Sequence, residues 1–195
     1  MRMIAVALAV ACSSHGPKPF VDLDSSTDRW TGIGIPVVGN IAFKATLTSP
    51  KNEYATATGT ASVRCGHCTL GDGGKLGTGD PSVEAFSAGG IDFGKIDVGK
   101  IDGTATFENG KGTVDISAGT PSTVEITLKG TVVLANELAK SEADLHLAFR
   151  ISDALRTADP KSYAVLSTTG ANADDKGWFK IHLTGPLDHT RRIAE

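Results

Sequence analysis

Apolar and polar side chains alternate along much of this chain. Ile41, Phe43, Ala45 and Leu47 interleave with Ala42, Lys44 and Thr46, the period of two expected of a strand with one buried face. Ser49-Pro50-Lys51-Asn52 then supplies a turn, since these residue types favour turn conformations. The returning strand is expected over residues 54–63, with alanines and Gly59 on one face and Thr56, Thr58, Thr60 and Ser62 on the other. Such small side chains let another layer approach closely. Further strands are expected at residues 104–107, 112–117, 124–134, 143–151 and 178–183. Between the first two of these, Asn109-Gly110 is a two-residue hairpin signal, because both residues tolerate positive φ.

Two of the strands are long. In one, Val124, Ile126, Leu128, Gly130, Val132 and Leu134 face one way and Glu125, Thr127, Lys129 and Thr131 the other. In the next, Leu145, Leu147, Phe149 and Ile151 alternate with Asp144, His146, Ala148 and Arg150. The connection over residues 135–142 is short enough for antiparallel neighbours, so the pair is expected at the centre of a sheet. Trp178 and Phe179 are adjacent, so at most one of them points into the core. One helix is expected, capped by Asp159, with Pro160 in its first turn and Tyr163, Ala164 and Leu166 on its apolar side before Gly170. A turn at Ser152-Asp153-Ala154-Leu155 precedes it. These elements predict a mainly β protein: a curved antiparallel sheet or a β-sandwich, with one short helix near the C-terminus.

The segment Ile91-Asp92-Phe93-Gly94-Lys95, Ile96-Asp97-Val98-Gly99-Lys100, Ile101-Asp102-Gly103 repeats every five residues. Five is odd, so a regular strand cannot hold all three isoleucines on one face; a bulge is required, and the glycines are where it is expected. The glycine-dense residues 70–81 before it read as a loop.

Glycine, at 23 residues, and an aromatic content of 6% suit tight turns and strands around a thin core. The formal charge is only -3, without a long block of either sign, which argues against nucleic acid as a partner. Arg2 precedes an apolar run from Ile4 to Ala11 that is too short to span a bilayer and resembles an export signal. Leu8-Ala9-Val10-Ala11-Cys12 is lipobox-like, making Cys12 a candidate for lipidation; the alternative is the tail of a membrane helix. Four regions are therefore expected: residues 1–12 as signal or membrane segment, 13–31 as a flexible tether, 32–188 as a single β-rich domain, and 189–195 as a polar tail.

Cys65 and Cys68, in Cys65-Gly66-His67-Cys68, carry the remaining sulfur chemistry. In an exported chain a local disulfide is the favoured reading, with reduced thiols as the alternative. A redox centre would place the first cysteine at a helix N-terminus, and a loop follows instead. Zinc would need about four ligands, whereas His15, His146, His182 and His189 are scattered. Nucleophile-elbow, metalloprotease, phosphate-loop and dinucleotide motifs are absent. No catalytic residue, metal or cofactor is expected, and the chain is read as a non-enzyme.

From residue 122 the pattern is recognisable: Thr123-Val124-Glu125-Ile126-Thr127-Leu128-Lys129-Gly130, Ser141 before a long strand, Phe149-Arg150-Ile151-Ser152, Asp159-Pro160-Lys161, and Gly177-Trp178-Phe179-Lys180-Ile181-His182-Leu183-Thr184-Gly185-Pro186-Leu187. It resembles the C-terminal part of type II secretion system protein N, deltaproteobacterial type. The similarity continues upstream through residues 59–76 and 93–114. What the resemblance implies is a periplasmic β-rich body, associated with the inner or outer membrane through its N-terminus, acting as an accessory or scaffold beside other secretion-system envelope proteins. The alternative is a periplasmic module that binds a lipid or acyl chain in an apolar groove lined by Val124, Ile126, Leu128, Leu145, Leu147 and Phe149.

Overall fold

The alternating runs condense into one sheet. A computed structural model describes residues 19–30, 36–71, 95–158, 160 and 172–195. The strands are β1 (Val21–Trp30), β2 (Val37–Thr48), β3 (Thr58–Leu70), β4 (Ile96–Glu108) and β5 (Lys111–Gly119). They continue with β6 (Val124–Val133), β7 (Glu142–Ile151), β8 (Trp178–Pro186) and β9 (Arg191–Ala194). A short helix, α1 (Asp153–Ala158), follows β7. The nine strands form an open sheet in strict sequence order, every neighbouring pair antiparallel. Of the two expected architectures it is the single sheet, not the sandwich. Among the described residues no helix is long and apolar enough to cross a membrane.

Register lines the apolar residues up across the whole sheet. Phe43 stands opposite Val63, Val63 opposite Gly103, and Gly103 opposite Ile116. The same row continues through Leu128, Leu147 and Ile181. Large residues lean over glycines: a Cβ at Gly103 would lie 2.8 Å from both Val63 Cγ1 and Ile116 Cγ1. Two rows along, Phe107 sits between Gly59 and Gly112, and a Cβ at Gly112 would come within 2.3 Å of the Phe107 ring.

The two ends of this face are buried, as is its middle on β8, while its middle from β2 to β7 is not. At one end Val37, Ile41, Cys65, Cys68, Ile96, Val98 and Val124 form a buried cluster. At the other, Leu47, Ala57, Val132, Leu134, Ala143 and Leu145 do so. Phe149, Phe179 and Ile181 make a third cluster, in which the two phenyl rings stack with centroids 5.0 Å apart. Phe43, Val63, Ile116, Leu128 and Leu147, between the ends, are only half-buried.

The turns follow their residues. Asn109 and Gly110 have φ of 47 and 76, closing the β4–β5 hairpin between Glu108 and Lys111. The bulge required by the five-residue repeat falls at Gly99, at φ 56. It lets Ile96 and Ile101 both reach the first cluster. Ile91 and residues 72–81 lie outside the described residues.

Four expectations need correction. Residues 21–30, read as tether, are β1: Val21 and Leu23 oppose Leu47 and Ala45, and Val21 and Trp30 pack against the two ends of the core, but Ser25, Ser26, Thr27 and Asp28 between them carry no apolar side chain, because this middle stretch of the edge strand is mostly exposed. Residues 191–194, read as tail, are β9, exposed throughout and held by backbone pairing to β8. The sheet therefore reaches beyond residues 32–188 on both sides. The returning strand, expected over residues 54–63, starts at Thr58 after a 3-10 turn at Tyr54–Thr56 and runs on through both cysteines to Leu70. Finally, residues 153–155 open α1 instead of making a turn. Ser152 Oγ accepts a hydrogen bond from the Leu155 N–H at 3.0 Å, the capping arrangement that starts a helix. The helix expected from Asp159 to Gly170 lies, apart from Pro160, outside the described residues.

Candidate functional surfaces

The expected groove residues share one face. Ile126 pairs with Phe149, Leu128 with Leu147 and Gly130 with Leu145, while Val124 faces Ile151. Val124, Leu145 and Phe149 are buried at 1%, 8% and 5% exposure, so they serve as core. Ile126, Leu128 and Leu147 remain half-buried and are joined across the sheet by Phe43, Val63 and Ile116. These last three were missing from the expected groove. Each carried the right alternation, but only the register of β2 to β5 brings them into line with Leu128.

The Cys65 and Cys68 sulfurs lie 2.05 Å apart, at bonding distance, with both side chains buried in the first cluster. The pair sits where β3 slips register against both β2 and β4. Gly39 on β2 makes room for it: φ is +144, and a Cβ there would lie 2.6 Å from the His67 carbonyl and 2.7 Å from Cys68 Sγ. His67 points outward, 3.9 Å from Asp97. The Asp97 carboxylate is already engaged by the Gly99 N–H at 2.7 Å, stabilising the bulge. Cys12 and the lipobox-like segment lie outside the described residues.

The polar face carries ion pairs that cross between strands. Arg150 bonds Glu125 on β6 and lays its guanidinium 5.2 Å from the centre of the Trp178 ring. Phe179, next in sequence, is core. Lys129 reaches Asp115 at 2.8 Å. Asp102 bonds Lys100, which holds its carboxyl below the usual range. At the sheet's end Lys140 bonds Asp188 and, with His189 beside it, brings that carboxyl down to about 2. Lys180 and the Trp178 backbone N–H do the same for Asp174.

One polar group departs from simple pairing. His146 on β7 and His182 on β8 are direct register partners, and their rings stack with centroids 4.7 Å apart and planes 5° from parallel. His182 Nε2 is 2.6 Å from Asp144 Oδ1, and His146 Nδ1 is 2.8 Å from Glu195 Oε1. Ligand atoms of Asp144, His146 and His182 all fall within 4.8 Å of one another. As isolated positions the histidines looked scattered. Their meeting depends on the β7–β8 register, which alternation alone does not specify.

No family model, curated protein or solved structure matches this chain.

Proposed function

We propose that this chain is a non-enzymatic protein of the bacterial periplasm, an accessory or scaffold component of the machinery that moves folded proteins across the outer membrane. The proposal follows the resemblance to type II secretion system protein N in residues 122–187, and its N-terminus would tie it to the inner or outer membrane. The structural observation that supports it is the open edge at β1. Among the described residues β1 pairs with β2 alone, so every second residue of this ten-residue strand directs its backbone donor and acceptor away from the sheet. Such an edge accepts a strand from another protein. Asp22, Asp24, Asp28 and Arg29 along it discourage indiscriminate pairing, so the partner is selected by charge.

Photo-crosslinking amino acids at Asp22 and Ser26, in cells with the native secretion locus, test the reading. Crosslinks to secretion-system envelope proteins are the expected result. Absence of such products, with secretion unchanged on deletion of the gene, would overturn it.

A second reading is favoured by the half-buried centre of the apolar face. Phe43, Val63, Ile116, Leu128 and Leu147 form a continuous apolar row of the kind that holds an acyl chain. Organic extraction of protein purified from an envelope fraction tests it. A stoichiometric lipid, lost in Leu128→Asp, supports the reading; a lipid-free extract from the folded wild type refutes it.

A further inference from the structure

We propose that Asp144, His146 and His182 form a binding site for a divalent transition-metal ion of the zinc type on the polar face of β7 and β8. The three side chains project from one face of two paired strands. Asp144 and His146 alternate along β7, and His182 lies opposite His146. Two imidazoles and a carboxylate match the donor preferences of Zn2+, with Cu2+ and Ni2+ as close competitors; Ca2+ and Mg2+ favour oxygen alone.

Hydrogen bonding fits this assignment. A carboxylate only accepts, so Nδ1–H of His146 donates to Glu195, which holds the ring and leaves Nε2 to ligate. A carboxylate behind a ligating imidazole is the usual supporting arrangement at such sites. Asp144 already sits 2.6 Å from His182 Nε2, so a metal would take the place of the proton between them. Lys129 is the register neighbour of His146 on β6, but its ammonium is drawn to Asp115 at 2.8 Å. This ammonium is thus paired on the side away from the histidines.

The ligand atoms, up to 4.8 Å apart, must close to the roughly 3.3 Å separation set by zinc bonds of about 2.0–2.1 Å in a tetrahedron. Asp144 and His146 are exposed and His182 half-buried, so side-chain rotation can supply the closure without moving the strands. Three protein ligands leave the fourth position to water.

The test is equilibrium dialysis of untagged full-length protein against zinc sulfate, with metal counted by mass spectrometry. One zinc per chain is expected. Either His146→Gln or His182→Gln should weaken binding by at least about tenfold, because loss even of an outer-shell partner costs about 10–100-fold. Asp144→Asn should also weaken it, while His67→Gln should leave it unchanged. Histidine 1H–15N spectra should show zinc perturbing His146 and His182 together. These positions are on the solvent side, and circular dichroism checks that each variant is folded. Should a histidine variant unfold, the wild-type spectra and Asp144→Asn still decide the matter. Wild-type protein that binds no zinc, or binding that survives loss of both histidines, overturns the proposal. So does binding that follows His67.

Discussion

Leu128 and Leu147 face each other directly across the β6–β7 pair, and neither is buried. Two neighbours on the same face, Val124 and Leu145, are at 1% and 8% exposure. Burial on this face therefore varies along and across the sheet: residues towards the two strand ends are covered, as is Ile181 on β8 opposite Leu147, while the centre from β2 to β7 is only partly so. We expect Leu145→Ala to cost about 2–4 kcal/mol, in the range for truncating a core leucine. Leu128→Ala and Leu147→Ala should each cost only about 1–2 kcal/mol, since less apolar surface leaves water on folding. Thr127→Ala, on the opposite face, should stay within about 0.5 kcal/mol. Urea denaturation of the four variants side by side is the check; equal midpoints for Leu145→Ala and Thr127→Ala would contradict the register.

Gly39 and the two cysteines behave as one unit. Gly39→Ala places a side chain at φ +144 and against the His67 carbonyl and Cys68 sulfur, and backbone strain of that kind alone costs about 1–3 kcal/mol. The variant should melt below wild type and should lower the yield of the Cys65–Cys68 bond. Intact mass after thiol alkylation, with and without reductant, reads the bond directly. Wild-type stability together with full oxidation in Gly39→Ala would refute the packing described.

Ser141 is the only polar residue in the buried core among those described, at 0% exposure. Its Oγ accepts the Ala135 N–H at 3.0 Å, and its carbonyl accepts the Leu187 N–H at 3.0 Å, tying the β6–β7 connection to the end of β8. Ser141→Ala leaves the Ala135 N–H without its acceptor. We expect a loss of about 1 kcal/mol, the net worth of a typical hydrogen bond, since the Ala135 N–H is only half-buried. An unchanged denaturation midpoint would mean that water or another acceptor replaces the hydroxyl.

Acid should weaken the surface latch around Asp188. Its carboxyl, held by Lys140 and then His189, titrates at about 2 in the folded chain against 3.8 ordinarily. A depressed folded value contributes stability that is present above about pH 3.8 and is lost as pH falls towards 2. Asp174 adds a loss in the same window through Lys180 and the Trp178 backbone. Both pairs are solvent-screened, so the effect should be modest and should shrink with added salt. Melting temperatures of wild type and Asp188→Asn between pH 5 and pH 2 measure it. A fall in that window as steep in the variant as in wild type would exclude this contribution.

Legibility in the sequence divides along physical lines. Strands β2, β5, β6, β7 and β8 were visible because each buries one face, which enforces a period of two. The β4–β5 turn was visible in Asn109-Gly110, because few residue pairs accept positive φ twice. The bulge at Gly99 was implied by the odd repeat. Strands β1 and β9 were not visible: β1 has apolar side chains only near its two ends, around the polar run 24–29, and β9 is exposed throughout, so both are ordered largely by backbone pairing, which leaves little mark on side-chain type.

The sequence by itself determined which residues are apolar together within each strand, and therefore that Leu128, Leu147 and their neighbours share a face. Only the tertiary structure decided how far that face is covered, and that Phe43, Val63 and Ile116 extend it. It alone brought His146 against His182, since cross-strand neighbours follow from hydrogen-bond register between segments distant in the chain. Local alternation reports the face a residue takes within its strand. The residue it meets is selected by how the strands align, and that energy is distributed over the whole sheet.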